Sequence, residues 1–167
     1  MISHRLNSLS ECDVIYFIED GRVSGPTVQI RNISKIIKSN TGGLLLIDYG
    51  YTDGKMKDTL QAVSNHKFAN ILKNIGNVDI THNINFNLFK KFAKQVGGLK
   101  NNLTTQKEFL LRMGIKQRAE IISKNQSFLN KADIYYRLER LINEKQMGNL
   151  FKVMLIKNKK NKFELGF

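Results

Sequence analysis

The chain has 167 residues, 41% of them hydrophobic, which suits one domain with its own core, and no stretch reaches the about 20 apolar residues of a membrane span. The single cysteine, Cys12, cannot form an internal disulfide, no histidine–cysteine cluster has metal-ligand spacing, and the start lacks a signal-peptide core, so we expect a cytoplasmic protein without a metal site. The net charge of +13 permits binding to a polyanion but does not require it, because the lysines are spread along the chain.

The first predicted elements are a strand and a helix. The stretch DVIYFIEDGRV, residues 13–23, is typical of a strand that enters a turn at Asp20-Gly21. Isoleucines then recur at the spacing of one helix face: Ile30, Ile33, Ile36 and Ile37. The pair Gly42-Gly43 is expected to end this helix and to lead into a strand.

The stretch TGGLLLIDYGYTDG, residues 41–54, predicts that second strand. Its aliphatic residues do not alternate with polar ones, which favours burial on both faces and therefore a parallel sheet. The strand ends on a carboxylate, Asp48. Two interpretations remain open: the acid caps the following turn with Tyr49 and Tyr51 packed beneath it, or the strand delivers it to a site.

Residues 52–83 are the least regular part of the sequence, and they predict a long loop that is functional or partly structured. A clear amphipathic helix follows at 86–96. Asn85 is expected to cap its start and Gly97-Gly98 to end it. One face is predicted to enter the core: Phe86, Phe89, Phe92, Ala93 and Val96.

The remaining residues predict further helices and one last strand. Thr105 and Glu108 form a capping box, and Gly114 stands where a helix commonly ends. Helical patterns continue over 116–125 and 128–146, and residues 150–167 are expected to form a strand, a basic turn and a short return. The basic run at 157–163 is either a solvated turn or a contact for a polyanion. The element order predicts an α/β fold, although only three or four strands are evident.

No motif for binding a nucleotide-type cofactor is evident. The patterns G-x-G-x-x-G, G-x-G-x-G, G-x-x-x-x-G-K-[ST] and G-x-S-x-G do not occur in the sequence. The glycine pairs at 42–43 and 97–98 are predicted to close helices, whereas a cofactor turn opens one. The chain alone is therefore expected to lack the turn that would cradle such a cofactor.

Five stretches occur in the order found in a known family: GGLLLIDYGY, DTLQAVSNHKF, GNVDITHNINF, TQKEFLLRMGIKQRAE and QMGNLFKVMLI. They resemble the C-terminal half of the MidA family of S-adenosylmethionine-dependent methyltransferases, whose mitochondrial members methylate an arginine on a subunit of respiratory complex I and assist its assembly. The resemblance covers residues 41–167, whereas residues 1–40 match poorly.

The resemblance implies a partial class I methyltransferase sheet of the Rossmann-like type. LLLIDYG would be the fifth of seven strands, and LFKVMLI would be the antiparallel last strand. The glycine-rich cofactor turn belongs to the half that this chain does not resemble. S-adenosylmethionine is therefore implied by the resemblance only, and we expect no cofactor on this chain alone.

Site residues are carried over from matching positions of the family. Candidates for the site or its edge are Asp48, Tyr49, Gly50, Tyr51, His66, Asp79, Thr81 and Gln106. The final-strand signature is matched by Met147, Gly148, Phe151 and Lys152. Two positions depart from the family, which often has Pro where Ile75 stands and usually has Asp where Asn85 stands.

Each candidate has a functional and a structural interpretation. Asp48 would orient a substrate arginine, since a carboxylate pairs with a guanidinium through two hydrogen bonds, or it caps a turn. His66 would contact substrate or transfer a proton, or it donates a structural hydrogen bond. Asp79 with Thr81 is expected to build the turn that precedes the 85–96 helix. Gln106 either reaches the site or pins a loop.

Three hypotheses follow for the whole chain. It is part of a split methyltransferase, completed by a separate N-terminal half and acting on a protein substrate. Alternatively, it is an inactive remnant of such a gene, in which half a sheet leaves an unpaired edge. The third hypothesis is a basic module that binds nucleic acid or an acidic protein; only the charge supports it, and we do not expect a nucleic-acid partner.

Overall fold

A computed structural model describes residues 17–19, 22–24, 26–55, 57–65, 67–73 and 76–167. The nine strands in this part of the chain are β1 (Phe17–Glu19), β2 (Arg22–Ser24), β3 (Gly43–Tyr51), β4 (Gln61–Ser64), β5 (Lys67–Ala69), β6 (Asp79–Thr81), β7 (Ile84–Asn85), β8 (Leu99–Thr105) and β9 (Phe151–Asn158). The six helices are α1 (Pro26–Asn40), α2 (Phe86–Val96), α3 (Gln106–Arg112), α4 (Ile115–Ser123), α5 (Phe128–Ile142) and α6 (Met147–Leu150).

The main sheet has four strands in the order β7-β3-β9-β8. β9 lies between β3 and β8 and runs antiparallel to both, whereas β7 runs parallel to β3. The last strand of the chain is thus inserted antiparallel into the sheet, as the family resemblance implied. The mixed α/β fold that we predicted is confirmed.

The core lies between this sheet and the helices α1 and α2. Its buried residues are Ile37, Phe86, Phe89, Ala93, Leu99, Met154 and Ile156. Leu44 and Leu46 of β3 pack against this cluster from one face of their strand. The core therefore contains residues of β3 and β9, which are more than a hundred residues apart in sequence. These two strands pair over most of their length.

The predicted helix at 86–96 is confirmed, together with its caps. The side chain of Asn85 accepts hydrogen bonds from the backbone N–H groups of Asn87 and Leu88, at 3.1 and 3.3 Å. Asn therefore caps the helix at a position where the family usually has Asp. Thr105 caps α3 by accepting from the N–H of Glu108 at 3.2 Å, and Gly114 takes a φ of 80° after that helix.

The predicted face of the first helix is only partly correct. Ile37 is buried, but Ile36 is 59% exposed and Ile33 is 37% exposed, because the face that contacts the sheet is centred on Ser34 and Ile37. The helix ends at Asn40, before the glycine pair. Thr41 itself adopts a left-handed φ of 52°.

The prediction that β3 is buried on both faces is wrong for the described chain. Leu44 and Leu46 face the core, whereas Leu45, Ile47 and Tyr49 on the other face are 45%, 51% and 38% exposed. Side chains alternate between the faces of a strand. On the second face the helices cover the neighbouring residues Val153 and Leu155 of β9, whereas the side chains of β3 are covered only in part.

Two other predictions are wrong, and one strand was not predicted. Asp79 and Thr81 lie in β6 and not in a turn, because the β6 backbone pairs antiparallel with β4 in a separate three-stranded sheet, β5-β4-β6. This sheet gives structure to residues 52–83, which we predicted to be a long loop that is functional or partly structured, and the partly structured alternative is the one found. β8 was not predicted, since LKNNLTT has little apolar character and is held by its pairing with β9. Residues 159–167 contain turns and no returning strand.

Helices α3 to α6 form a second group. α3 contacts β8 and β9, and α6 contacts β3, β8 and β9. α4 packs against α3 and α5, and α5 packs against α3 and α6. Among the described residues, no helix combines the length and the apolar character that a membrane crossing requires.

The basic run at 157–163 is partly structural. The side chain of Lys157 is 2% exposed, and its ammonium group donates to the carbonyl of Phe163 and to Glu164 Oε1 at 3.1 Å. Asn158 donates to the carbonyl of Lys38 at 2.8 Å and so ties the end of β9 to α1. Lys159, Lys160 and Lys162 are exposed, so the solvated and the polyanion interpretations remain open for these three only.

Replacing Glu164 with glutamine is expected to lower the melting temperature more than replacing Glu144 with glutamine. Both carboxylates have a lowered pKa because each accepts a hydrogen bond from a lysine, but only Glu164 pairs with a buried ammonium group, that of Lys157. The folded-state pKa of Glu164 is below its unfolded value, so its contribution is present above the unfolded pKa and is lost as pH falls through the folded pKa. Thermal melts from pH 7 to pH 3 measure this; equal shifts for the two variants at pH 7 would contradict it.

Candidate functional site

Three strand ends meet at one edge of the main sheet. The carboxyl ends of β3 and β8 lie beside the start of β9, with Asp48 opposite Lys152 and Lys152 opposite Thr105. Residues that are directly opposite across neighbouring strands point to the same face. Asp48, Lys152 and Thr105 therefore form one row, which continues the core-facing side of the sheet beyond Leu46 and Met154. Ligands of open α/β sheets commonly bind outside the carboxyl ends of strands.

Asp48 is half-buried at the end of the core-facing side of β3. Its Oδ1 accepts a hydrogen bond from the backbone N–H of Tyr49 at 2.7 Å. This contact fits the interpretation that the acid stabilises the local backbone.

Lys152 faces Asp48 across the strand pair. Partial burial lowers the pKa of its ammonium group, because desolvation disfavours the charged form. The group also donates to the backbone carbonyl of Asn149. The register therefore places an acidic and a basic side chain opposite one another at the sheet edge.

The two tyrosines of the motif have different neighbours. The Tyr49 ring lies on the opposite face from Asp48 and packs against Phe151, with ring centroids 4.1 Å apart. The Tyr51 hydroxyl accepts a hydrogen bond from the backbone N–H of Lys57 at 3.1 Å, and the Lys57 ammonium lies 5.0 Å from the Tyr51 ring centroid. Tyr51 thus holds the loop that follows β3.

Gly50 and Gly148 occupy positions where backbones approach closely. A Cβ on Gly50 would meet the carbonyl oxygen of Ile84 and would lie 2.6 Å from the Phe86 ring. A Cβ on Gly148 would lie 2.5 Å from the carbonyl oxygen of Ile142 and 2.7 Å from that of Asn143. Close packing therefore requires glycine at both positions, whether or not either residue contacts a ligand.

The other candidates lie elsewhere in the fold. Gln106 is buried at the start of α3, and its side-chain amide donates to the carbonyl of Leu141 at 2.9 Å, so it ties α3 to the end of α5. Thr81 accepts a hydrogen bond from the Gln61 amide at 3.1 Å within the three-stranded sheet, where Asp79 is exposed. His66 lies outside the described residues.

The sequence did not single out Lys152 as a partner of Asp48. The available signal was the position of Lys152 inside the apolar run LFKVMLI. Burying a charge in such a run costs free energy unless a partner or the end of the strand accommodates it. Only the register between β3 and β9 identifies that partner, because the two residues are 104 positions apart in sequence.

The described residues do not by themselves fit S-adenosylmethionine. Gly97 ends α2, with its N–H bonded to the carbonyl of Lys94, and Gly42 follows α1. Neither glycine pair opens a helix whose free N–H groups would face a bound cofactor.

Comparison with known proteins gives a consistent family. Residues 26–105 match a protein family described as "putative S-adenosyl-L-methionine-dependent methyltransferase". The chain is 29% identical over 132 residues to the mitochondrial protein arginine methyltransferase NDUFAF7 of Danio rerio, which covers 78% of this chain and 31% of the relative. The homologue from Xenopus tropicalis is 30% identical over 126 residues, with 75% and 29% covered.

Two solved structures from Burkholderia thailandensis have a similar fold. One, of an uncharacterised protein, has a TM-score of 0.70 at 22% identity and covers 96% of this chain and 44% of its own. The other, solved with bound S-adenosyl-homocysteine, has a TM-score of 0.67 at 25% identity and covers 84% and 37%.

The chain thus spans about three tenths of the length of these curated relatives. The ordered motifs, the matched family and the antiparallel strand β9 agree with one another. The chain is therefore similar, over about three quarters of its length, to S-adenosyl-L-methionine-dependent methyltransferases of this family.

Proposed function

We propose that this chain forms part of a methyltransferase that transfers the methyl group of S-adenosylmethionine to an arginine of a protein substrate. The observation that carries the proposal is the position of Asp48, an acid at the carboxyl end of β3 in a chain related to protein arginine methyltransferases. A guanidinium group is best held by carboxylates, since its planar donors match two carboxylate oxygens.

Asp48 orients the substrate guanidinium in this proposal. The acceptor nitrogen must lie in line with the methyl donor, and holding it there supplies much of the rate enhancement of such a transfer. Lys152 beside Asp48 adds positive charge to the site.

In this proposal, the cofactor is bound by residues that do not belong to this chain. A separate N-terminal half, with the glycine-rich turn that the described residues lack, would supply that cradle. When bound, S-adenosylmethionine supplies the methyl group. The part formed here contributes the edge that carries Asp48 and the strands that support it.

The experiment compares the chain alone with the chain co-expressed with a protein or segment that carries a G-x-G-x-G turn. Titration calorimetry with S-adenosylmethionine measures binding, and mass spectrometry after incubation with protein substrates detects methylated arginine. We expect binding and arginine methylation only for the combined preparation. Absence of both from a stable, purified complex would refute the proposal.

Substituting Asp48 with asparagine is expected to reduce methylation by the complete enzyme about 10- to 100-fold, because the charged partner of the guanidinium is lost. Asp53→Asn is the matched control, since Asp53 lies five residues away and pairs with Lys57 on an exposed loop. Initial rates at saturating S-adenosylmethionine measure the effect. Equal rates for the two variants would assign Asp48 a purely structural role.

The family resemblance extends the proposal to a physiological substrate and a place in the cell. A subunit of respiratory complex I is the substrate class that the resemblance implies. The sequence predicts a cytoplasmic location, whereas the curated relatives are named mitochondrial. The location in the cell is therefore a point for experiment. Fractionation of cells that express the tagged chain, followed by analysis of methylated arginines in complex I, tests both points.

A further inference from the structure

The helices α4 and α5 form a hairpin whose tip carries exposed apolar side chains. Residues 124–127 connect the two helices, which pack against one another. Each residue from 121 to 131 except Ser123 is exposed. We call this segment the hairpin tip (residues 121–131). Its large apolar side chains are Ile121, Ile122, Phe128 and Leu129, which are 67%, 40%, 84% and 77% exposed.

The hairpin does not need these four side chains for its own packing. The buried side chains of α4 are Ala119 and Ser123, and the hydroxyl of Ser123 lies 3.5 Å from the hydroxyl of Tyr135 on α5. The contact between the helices therefore involves the face of α4 that carries Ala119 and Ser123. Truncating the exposed apolar side chains of the tip would leave this contact in place.

The tip points away from the other helices of its group. Helices joined by a connection of a few residues run antiparallel, so the start of α4 and the end of α5 lie at the same end of the hairpin. That end is held by α3, whose Gln106 donates to the carbonyl of Leu141 at 2.9 Å. The tip is the opposite end, and it forms a convex projection.

Basic side chains surround the apolar side chains of the tip. Residues 116–131 carry four basic side chains and one acid, namely Lys116, Arg118, Lys124, Lys131 and Glu120. The next acid, Asp133, already pairs with Arg137 at 2.8 Å. In the part of the chain that the structure describes, neither Lys124 nor Lys131 pairs with a carboxylate. The tip therefore combines apolar surface with an excess of positive charge.

Exposed apolar patches of this kind mark contacts with another protein or with a membrane. Lysine is depleted at protein–protein interfaces. At a membrane surface, by contrast, the aliphatic stem of a lysine lies along apolar surface while its ammonium group reaches the headgroups. A membrane also needs no complementary groove to receive a convex tip. The combination of lysines with apolar side chains therefore favours a lipid surface with anionic headgroups.

We propose that the hairpin tip inserts Phe128 and Leu129 into the surface of a membrane that contains anionic lipids, with Lys124 and Lys131 at the level of the phosphates. Two contributions act at one place, because the apolar side chains leave water and the ammonium groups approach negative charge. The tip lies on the membrane and does not span it. This inference does not depend on the proposed function, since membrane binding is measured without cofactor or substrate.

A fluorescent reporter tests where the membrane contact lies. The chain contains no tryptophan, so Phe128→Trp gives a single indole in the tip. The probe is a vesicle with equal amounts of phosphatidylcholine and phosphatidylglycerol. We expect the emission to move to shorter wavelength and to be quenched by lipids with brominated acyl chains, because an interfacial side chain lies about 5–10 Å into the boundary between headgroups and acyl chains.

Phe68→Trp is the matched control for the reporter. Phe68 is 83% exposed and lies on β5, outside the tip. Its emission is expected to be the same with and without vesicles. A shift at both positions would show unspecific adhesion of apolar surface, and no shift at Phe128→Trp would show that the tip stays in water. Either result would overturn the proposal.

Flotation of the same vesicles measures the strength of binding. The double variant Phe128→Ala with Leu129→Ala is expected to lower the partition coefficient at least about 10-fold, because two apolar side chains no longer enter the membrane. Phe68→Ala with Leu72→Ala removes the same two types of side chain, which are 83% and 80% exposed, and is expected to leave the partition coefficient unchanged. Equal losses for the two double variants would contradict a specific role of the tip.

The lysines are tested on two kinds of vesicle. Lys124→Gln with Lys131→Gln is expected to lower partitioning to the mixed vesicles about 10-fold, and to leave the weaker partitioning to pure phosphatidylcholine unchanged. Equal binding of the parent chain to both kinds of vesicle would refute the role of anionic headgroups.

Sedimentation of the chain without lipid identifies a competing occupant. Self-association that is lost in Phe128→Ala with Leu129→Ala would assign the tip to a second copy of this chain and would overturn the membrane proposal. We expect parent and variant to sediment alike, and circular dichroism is expected to show the same helix content for both.

Discussion

Replacing Phe86 with alanine is expected to lower the free energy of unfolding by about 3–5 kcal/mol, a large share of the about 5–15 kcal/mol that is typical of a domain. Phe86 is fully buried at the start of α2 and packs against Phe89, with ring centroids 6.1 Å apart. It lies where β3, β7 and α2 meet. Its removal would leave a cavity that the surrounding backbone, fixed by strand pairing, cannot fill.

The control for Phe86 is Phe128→Ala on α5. That ring is 84% exposed, so its loss is expected to change the free energy of unfolding by less than about 0.5 kcal/mol. Urea denaturation followed by circular dichroism measures both variants. If Phe86→Ala cost no more than Phe128→Ala, the core between the sheet and α2 would not be packed as described.

Helices and their caps could be predicted because their determinants are local. Asn85, Thr105 and Gly114 act within three or four residues of their positions, and the α2 face repeats at the helical period. These signals do not depend on where the helix packs in the fold. The buried face of α1 was predicted incorrectly at Ile33 and Ile36 for a related reason. Helical periodicity shows that a broad apolar stripe exists, but it does not show which side of that stripe contacts the sheet.

Strands with weak patterns could not be predicted in this way. The polar sequence of β8 becomes a strand because β9 supplies its backbone partners, and those partners lie about fifty residues further along the chain. The short strands β4 and β6 depend in the same manner on one another. Asp79 and Thr81 carry turn-forming side chains, yet their backbone pairs with β4, so tertiary pairing overrides the local preference.

The position of the candidate site in the fold could be predicted from the sequence, but the contacts within the site could not. An acid that ends an apolar strand marks the sheet edge, which identified Asp48 from sequence. Its neighbour Lys152 follows only from the β3–β9 register. The exposed face of β3 illustrates the converse case, since its sequence is consistent with burial that the described residues do not provide.

Replacing Gly50 with alanine is expected to lower the free energy of unfolding by about 3 kcal/mol, the upper end of ordinary overpacking. The new methyl group would meet the carbonyl oxygen of Ile84 and the Phe86 ring. The carbonyl cannot move freely, because β7 pairs with β3 through Gly50 and Tyr51. Glycine in this D-Y-G motif is therefore required by the approach of β7, whatever ligand the neighbouring Asp48 contacts.

Gly54→Ala is the matched control, because a Cβ there would make only an ordinary contact, 3.6 Å from the Asn87 amide nitrogen. A double-mutant cycle with Phe86→Ala separates the two parts of the Gly50 clash. Removing the ring frees one side of the new methyl group, so the double variant is expected to lose less stability than the sum of the single losses, by about 0.5–3 kcal/mol. The loss that remains is caused by the Ile84 carbonyl. Strict additivity in urea denaturation would contradict the contact between Gly50 and the Phe86 ring.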